Sequence, residues 1–261
     1  MASSRRKSKA SKAKVTYWIR VLANFGLLAS IVAILLMLFS GLGTRWEWWG
    51  FRDGLKYFRY SAVAGAAGLL LCVLSMGWGL KARKFTSPVR TWTGLLIGLL
   101  TVGNFLVCLY QALSTPPIHD ITTDFNNPPA FEALLPYRKG ALNPPEYGGP
   151  RVAELQQKAY TDIQPLLLDA APEKAWETCV KVAQKLQWDI VLMDEPRGRI
   201  EATDQTFWFG FKDDIVVRVT PQGNGSRVDM RSESRVGLGD EGTNAKRIRR
   251  FLQEVLLALG R

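Results

Sequence analysis

Apolar residues run unbroken by charge in three places: from Val21 to Thr44, from Tyr60 to Leu80 and from Thr91 to Ser114. A helix needs about 20 such residues to cross a hydrocarbon core of about 30 Å, so each run predicts a membrane span. The spans are placed at about 18–43, 60–80 and 91–114, making residues 18–114 a three-helix anchor behind a basic tail, 1–17. The first run is not a signal peptide, because it ends in Gly41-Leu42-Gly43-Thr44-Arg45 without a small-x-small cleavage site and two further spans follow it. Gly94-x-x-x-Gly98 and the small residues Ser61, Gly65 and Gly68 predict close approach of the second and third helices.

The pattern then breaks. Residues 115–171 form a Pro-rich segment, eight of whose prolines fall between Pro116 and Pro150, and these exclude regular helix and central strand there. Ile118, Ile121, Phe125, Phe131 and Tyr137 supply apolar anchors, so the segment is expected to lie extended and docked on the domain that follows. That domain is placed at 172–261.

Its periodicity is 3.6 over 172–187, where Trp176, Cys179, Val180, Ala183 and Leu186 share a face behind the N1 proline Pro172. The period drops to two over Trp188–Met193, over a strand from Arg199 that extends towards Phe209, over Asp214–Val219 and over Arg227–Arg235, with turns at 195–198, 210–213 and 223–225. Ile248, Phe251, Leu252, Val255, Leu256 and Leu259 then mark a last amphipathic helix. Helix, four antiparallel strands and helix predict a two-layer α+β domain, with both helices over the apolar sheet face. The other face carries Arg199, Glu201, Thr203, Arg218, Asp229, Arg231 and Glu233, read as cross-strand charge pairs open to water, with docking of the Pro-rich segment or a partner as the alternative.

Charge then orients the chain. Of a net +11 over 261 residues, the first 90 hold 15 Lys or Arg against Glu47 and Asp53, net +13, and the remainder is net −2. The excess sits in the tail (Arg5, Arg6, Lys7, Lys9, Lys12, Lys14, Arg20) and the 81–90 loop (Lys81, Arg83, Lys84, Arg90), which the positive-inside rule assigns to the cytoplasm. Three crossings carry everything after Pro116 to the other side, in a bacterium the periplasm, making this an inner-membrane, multi-pass protein. With the basic excess spent on topology and no Cys/His finger or RNP motif, no nucleic-acid partner is expected.

Several groups invite a chemical reading. The 44–59 loop holds Trp46, Trp48 and Trp49, expected as an interfacial belt or short re-entrant helix; Phe207, Trp208 and Phe209 at a strand end either pack in the core or contact membrane lipid. His119, Asp120 and Asp124 place one imidazole and two carboxylates within six residues, read as structural turn groups or as ligand contacts. Arg218, Arg231, Arg235 and Arg247 are further candidate contacts, the last three near a helix start that suits an anion. His119 is the single histidine, which excludes a two-His metal centre, and Cys72, Cys108 and Cys179 form neither zinc spacing nor disulfide framework. No catalytic set, metal site or cofactor is therefore assigned.

The runs Gly198-Arg-Ile-Glu-Ala-Thr203, Asp213-Asp-Ile-Val-Val-Arg-Val219, Val228-Asp-Met-Arg-Ser-Glu-Ser-Arg-Val-Gly237 and Asn244-Ala-Lys-Arg-Ile-Arg249 resemble the family called domain of unknown function 1499, and Pro117–Asp124 resembles its start. The resemblance covers about 117–258. It implies a membrane-anchored member and carries over no catalytic residue. The reading of function is thus a periplasmic binding or interaction domain for an envelope protein or lipid. The alternatives are a hydrolase or metal-dependent enzyme built on His119 and its carboxylates, and an accessory subunit of a membrane complex. The oligomeric state is left open.

Overall fold

The computed structural model describes residues 2–84 and 86–260, with side chains from residue 11 onward, so Met1, Phe85, Arg261 and the side chains of Arg5, Arg6, Lys7 and Lys9 lie outside the described residues. The chain divides into two units, residues 1–110 with 208–210, and 111–207 with 211–261.

The first unit is built on α1 (Ala2–Arg45), α2 (Phe51–Lys81) and α3 (Pro88–Ser114), all long and apolar enough to cross a membrane. Each exceeds its charge-free run, because a helix continues through polar flanks once its backbone is hydrogen-bonded; α1, at 44 residues, is about 66 Å long at about 1.5 Å per residue. The connection between α1 and α2 is correspondingly shorter than the 44–59 loop expected from the sequence, a turn at 46–50 with Glu47 at φ 60°. Small residues set the helix contacts. Ser30 Oγ donates to the Gly94 carbonyl at 2.8 Å, Ser75 Oγ donates to the Ile19 carbonyl at 2.9 Å, and a side chain on Gly98 would meet Leu69 Cγ at 2.7 Å.

The second unit contains β1 (Asp120–Thr122), α4 (Gly149–Ala159), β2 (Leu166–Leu168), α5 (Pro172–Lys185), β3 (Asp189–Asp194), β4 (Arg199–Gln205), β5 (Lys212–Gln222), β6 (Gly225–Ser234) and α6 (Thr243–Ala258). The sheet has six antiparallel strands rather than four, in the order β1-β6-β5-β4-β3, with β2 also paired to β6. The expected β3–β6 meander is present. The two strands missed have three residues each, too few for alternation to register, and they come from the two ends of the Pro-rich segment. That segment also yields α4, because Pro150 sits in the first helical turn, where its missing N–H costs nothing. Gln156 of α4 donates to the Thr122 carbonyl at 2.7 Å and accepts from the Thr122 N–H at 3.0 Å, closing the edge of β1 as another strand would.

Ile200, Ala202, Ile215, Val217, Val219, Val228 and Met230 face α5 and α6 across a filled core, where Phe251 is fully buried and stacks on Trp188 with ring centroids 5.0 Å apart. Val152 and Leu155 of α4 pack against the same core, a third helix where two were expected. Cys179 lies inside it, and burial pushes its thiol up to about 12, leaving it unreactive at neutral pH. β4 ends at Gln205, short of Phe209, because the chain reverses at once through the 206–211 turn. Gly198, at φ 59°, leaves room for the Val219 backbone, whose N–H donates to the Gly198 carbonyl at 2.8 Å.

Candidate functional site

The residues with the most chemistry lie on the sheet face away from α5 and α6. Strand alternation puts Arg199, Glu201 and Thr203 of β4, Asp214, Val216 and Arg218 of β5, and Arg227, Asp229, Arg231 and Glu233 of β6 on that side. The face is not open to water, as the sequence had suggested. Residues 123–148 form a strap across it, and Glu201, Asp214, Asp229, Arg231 and Glu233 are each 0–1% exposed. The hydrophobic count over these strands could not reveal this, because the covering segment fills the space with its own polar atoms.

Contacts along its whole length hold the strap. Glu201 accepts the backbone N–H groups of Glu132 and Leu134, at 3.0 Å each, while Arg199 donates to the Ala130 carbonyl. Phe131 and Leu134 bury their side chains against Val216, the one apolar residue in the middle of this face. Arg138, in a 3-10 turn over Leu135–Arg138, points inward and donates to Asp214 at 2.7 Å, to Glu233 at 2.9 Å and to the Asn143 carbonyl at 3.0 Å. Asn143 then ties the far end down through the Ser234 and Gly237 carbonyls.

Beneath the strap, Arg231 is clamped. Its Nε and Nη2 donate to the two oxygens of Asp120 at 2.8 and 2.9 Å, Nη2 also reaches Glu233 at 3.2 Å, and the guanidinium lies 4.7 Å from the Phe131 ring centroid and 5.6 Å from that of Tyr147. Arg235 forks onto Asp214 at 2.9 and 2.7 Å and reaches Thr203 at 3.1 Å. At the other end, Asp124 accepts from Arg218 at 3.1 Å and Arg227 at 3.0 Å, and both arginines also hold Asp229. Asp124 also accepts the N–H groups of Asn126 and Asn127, so it is a turn residue and an ion-pair partner at once.

The remaining candidates are elsewhere. His119 and Asp120 are adjacent on one edge of the ladder and therefore point to opposite sides of the sheet; the His119 ring pairs through Nδ1 with the Leu238 carbonyl at 3.3 Å. His119 thus stands apart from Asp120 and Asp124, which share the strap side without sharing a partner. Arg247 is separated from Arg231 and Arg235 in the same way. It lies on the helix side, with Asp213 at 2.7 Å, Asp204 at 2.9 Å and Asn244 at 2.6 Å. Asp240 caps α6 through the Gly242 and Asn244 N–H groups, at 2.9 and 2.7 Å. Among the described residues, no group of three His, Cys, Asp or Glu is placed to hold a metal ion.

In the helical unit, Trp46 and Trp48 are 51% and 60% exposed, with centroids 5.0 Å apart, and Trp49 packs edge-on against Tyr57 at 5.0 Å. Trp208 belongs to the same unit, its indole N–H donating to the Leu38 carbonyl at 3.2 Å and its ring meeting Phe58 edge-on at 5.3 Å. Phe209 is buried, and Phe207 is 86% exposed.

A family model described as protein of unknown function (DUF1499) matches residues 120–255, more than half of the chain. The chain belongs to the DUF1499 family. A comparison with curated proteins gives no match. The DUF1499 match starts at the first residue of β1 and ends within α6, so it includes the strap and the face beneath it. Sequence reasoning missed Arg138, Asp214 and Arg227 as members of the network. Alternation from Arg218 would have placed Asp214 on this face, and Arg138 carried no signal, since nothing in a Pro-rich segment says which side chain turns inward.

The electrostatics of the face have a measurable consequence. Burial, and then the Asp120 carboxylate, push Glu233 up to about 8, against the pull of Arg138 and Arg231. The unfolded chain releases this proton near the ordinary glutamate value of about 4.3. Between those values the folded state binds the extra proton, so this contribution is fully present at the acidic end and is lost as pH rises through about 8. The urea midpoint of the domain is expected to fall from pH 5 to pH 8.5. Glu233→Gln, which keeps the shape without the charge, should flatten that slope, and a Glu233 carboxyl ¹³C titration midpoint near 4 would contradict the assignment.

Proposed function

We propose that this protein is an inner-membrane protein with a cytoplasmic amino terminus, whose DUF1499 domain is a periplasmic interaction module for an envelope protein. The observation that carries the reading is the two-sided character of the strap. Its inward groups are consumed by the sheet face, whereas Leu135, Tyr137 and Leu142 point outward at 46%, 59% and 58% exposure within eight residues. Apolar side chains held outward on a rigid, ion-paired segment suit a protein surface more than a lipid carrier, whose ligand would need the space that the core fills. The oxygens of Asp120 and Asp124 are taken up by guanidinium and backbone donors, which speaks for binding rather than acid–base work.

A photo-crosslinking amino acid placed at Tyr137 in living cells should give a discrete adduct that is lacking when it replaces Lys174. Tyr137→Asp with Leu135→Asp should weaken recovery of that partner about tenfold, the loss expected from burying a charge at one contact. The same pattern of adducts from both positions would sink the reading. Orientation is tested separately. Alkaline phosphatase fused after the last residue should be active and fused at Lys84 inactive, and the reverse would overturn the topology.

A further inference from the structure

Two side chains of the extramembrane unit stand apart from the rest. Phe207 and Leu238 are each 86% exposed, on the turns after β4 and after β6. Register puts those turns at one end of the sheet, because Gln205 pairs with Lys212 and Asp213 with Ser234. The chain enters the unit at that same end: Asp120 pairs with Glu233, the Ser234 N–H donates to the His119 carbonyl at 2.9 Å, and the Asp240 N–H donates to the Ile118 carbonyl at 3.2 Å.

Covalent reach then limits where this end can be. α3 stops at Ser114, and the six residues to Asp120 span at most about 20 Å fully extended. Phe207 is also bonded directly to Trp208, which sits in the helical unit against Leu38 and Phe58, within a few turns of the Trp46–Trp49 aromatic belt. The turns at the opposite end, Glu195-Pro196-Arg197-Gly198 and Pro221-Gln222-Gly223-Asn224, carry no apolar tip. The two most exposed large apolar side chains are thus both on turns at the sheet end where the chain enters from α3, whereas the opposite end carries Leu167, at 61% exposure.

We propose that this end of the DUF1499 domain is a membrane-interface anchor, with Phe207 and Leu238 inserted at the headgroup–acyl boundary of the bilayer that the protein's own helices cross. The inference rests on reading α1–α3 as membrane spans. The surface is aromatic and aliphatic, which suits the interfacial layer of a bilayer of any headgroup composition, and it would hold the strap face in a fixed attitude to the membrane.

The test uses the full chain in phosphatidylcholine–phosphatidylglycerol nanodiscs, with the three native cysteines replaced by alanine. A nitroxide is attached in turn at Phe207→Cys, Leu238→Cys, Asn224→Cys, Leu257→Cys and, on the outside of α2, Val63→Cys. The ratio of oxygen to nickel-chelate collision rates is expected to be several-fold higher at 207 and 238 than at 224 and 257, and highest at 63. Ratios at 207 and 238 equal to those at 224 and 257, with 63 still high, overturn the anchor and leave the spans standing. A low ratio at 63 overturns the membrane reading itself. Because 207 and 238 are exposed, labels there do not disturb the core, and a folded domain is verified by unchanged protease resistance.

Discussion

Replacing Arg231 with alanine is expected to destabilise the DUF1499 domain by about 3–5 kcal/mol, the cost of leaving a buried carboxylate without its cation. Arg231 is 1% exposed and holds both oxygens of Asp120, itself 2% exposed. Without the guanidinium, Asp120 keeps, among the described residues, the Gly148 N–H at 3.3 Å, and Phe131 and Tyr147 lose the cation beside their rings. For a domain of this size the loss corresponds to about 10 °C or more in melting temperature. Pulse proteolysis of the full chain in nanodiscs across a urea series reads the midpoint directly. The double substitution Arg231→Met with Asp120→Leu removes both charges together and should recover much of the loss. A single substitution as mild as the double would mean that the pair is not buried as described.

Replacing Arg138 with alanine should do something different. Asp214 keeps Arg235 and Thr203, and Glu233 keeps Arg231, so the sheet retains its own pairs. What is lost is the inward anchor of the strap, two hydrogen bonds from the guanidinium to the Asp214 and Glu233 carboxyl groups and one to the Asn143 carbonyl. With charge-assisted bonds contributing about 1.5–3 kcal/mol each, opening of the strap becomes easier by about 3 kcal/mol, or roughly 10²-fold in exchange rate. Hydrogen exchange followed by mass spectrometry should show this at residues 131–143, while β5 and the core helices stay protected. Unchanged exchange over 131–143 would show that Phe131 and Leu134 alone fasten the strap. The two variants therefore separate a residue that holds the fold from one that holds its cover. If Tyr137 and its neighbours form the partner surface, Arg138→Ala should also weaken partner recovery without melting the domain.

The buried charge under the strap is costly compared with an apolar face of the same shape. It has a physical use: ion pairs and backbone acceptors fix a proline-rich segment that offers few N–H groups of its own for sheet pairing. Glu201 and Arg199 serve in this way, one holding N–H groups of the strap and the other a carbonyl.

Much of this was legible in the residues alone. Charge-free runs of more than twenty residues dictate long apolar helices, because a helix satisfies every backbone group within one segment, whereas a barrel needs many paired strands. Period-two alternation from Trp188 to Arg235 marked out four strands and sorted Arg199, Glu201, Arg218, Asp229, Arg231 and Glu233 onto one face, and the motif runs placed the chain in its family. Only the tertiary structure decided what lay against that face. Local pattern reports which side a residue points to, but not which distant segment covers it, and the strap reaches the strands across about 70–100 residues of sequence. The same limit separated His119 from Asp120 and Arg247 from Arg231, neighbours in the sequence or in apparent purpose that a single sheet holds on opposite sides.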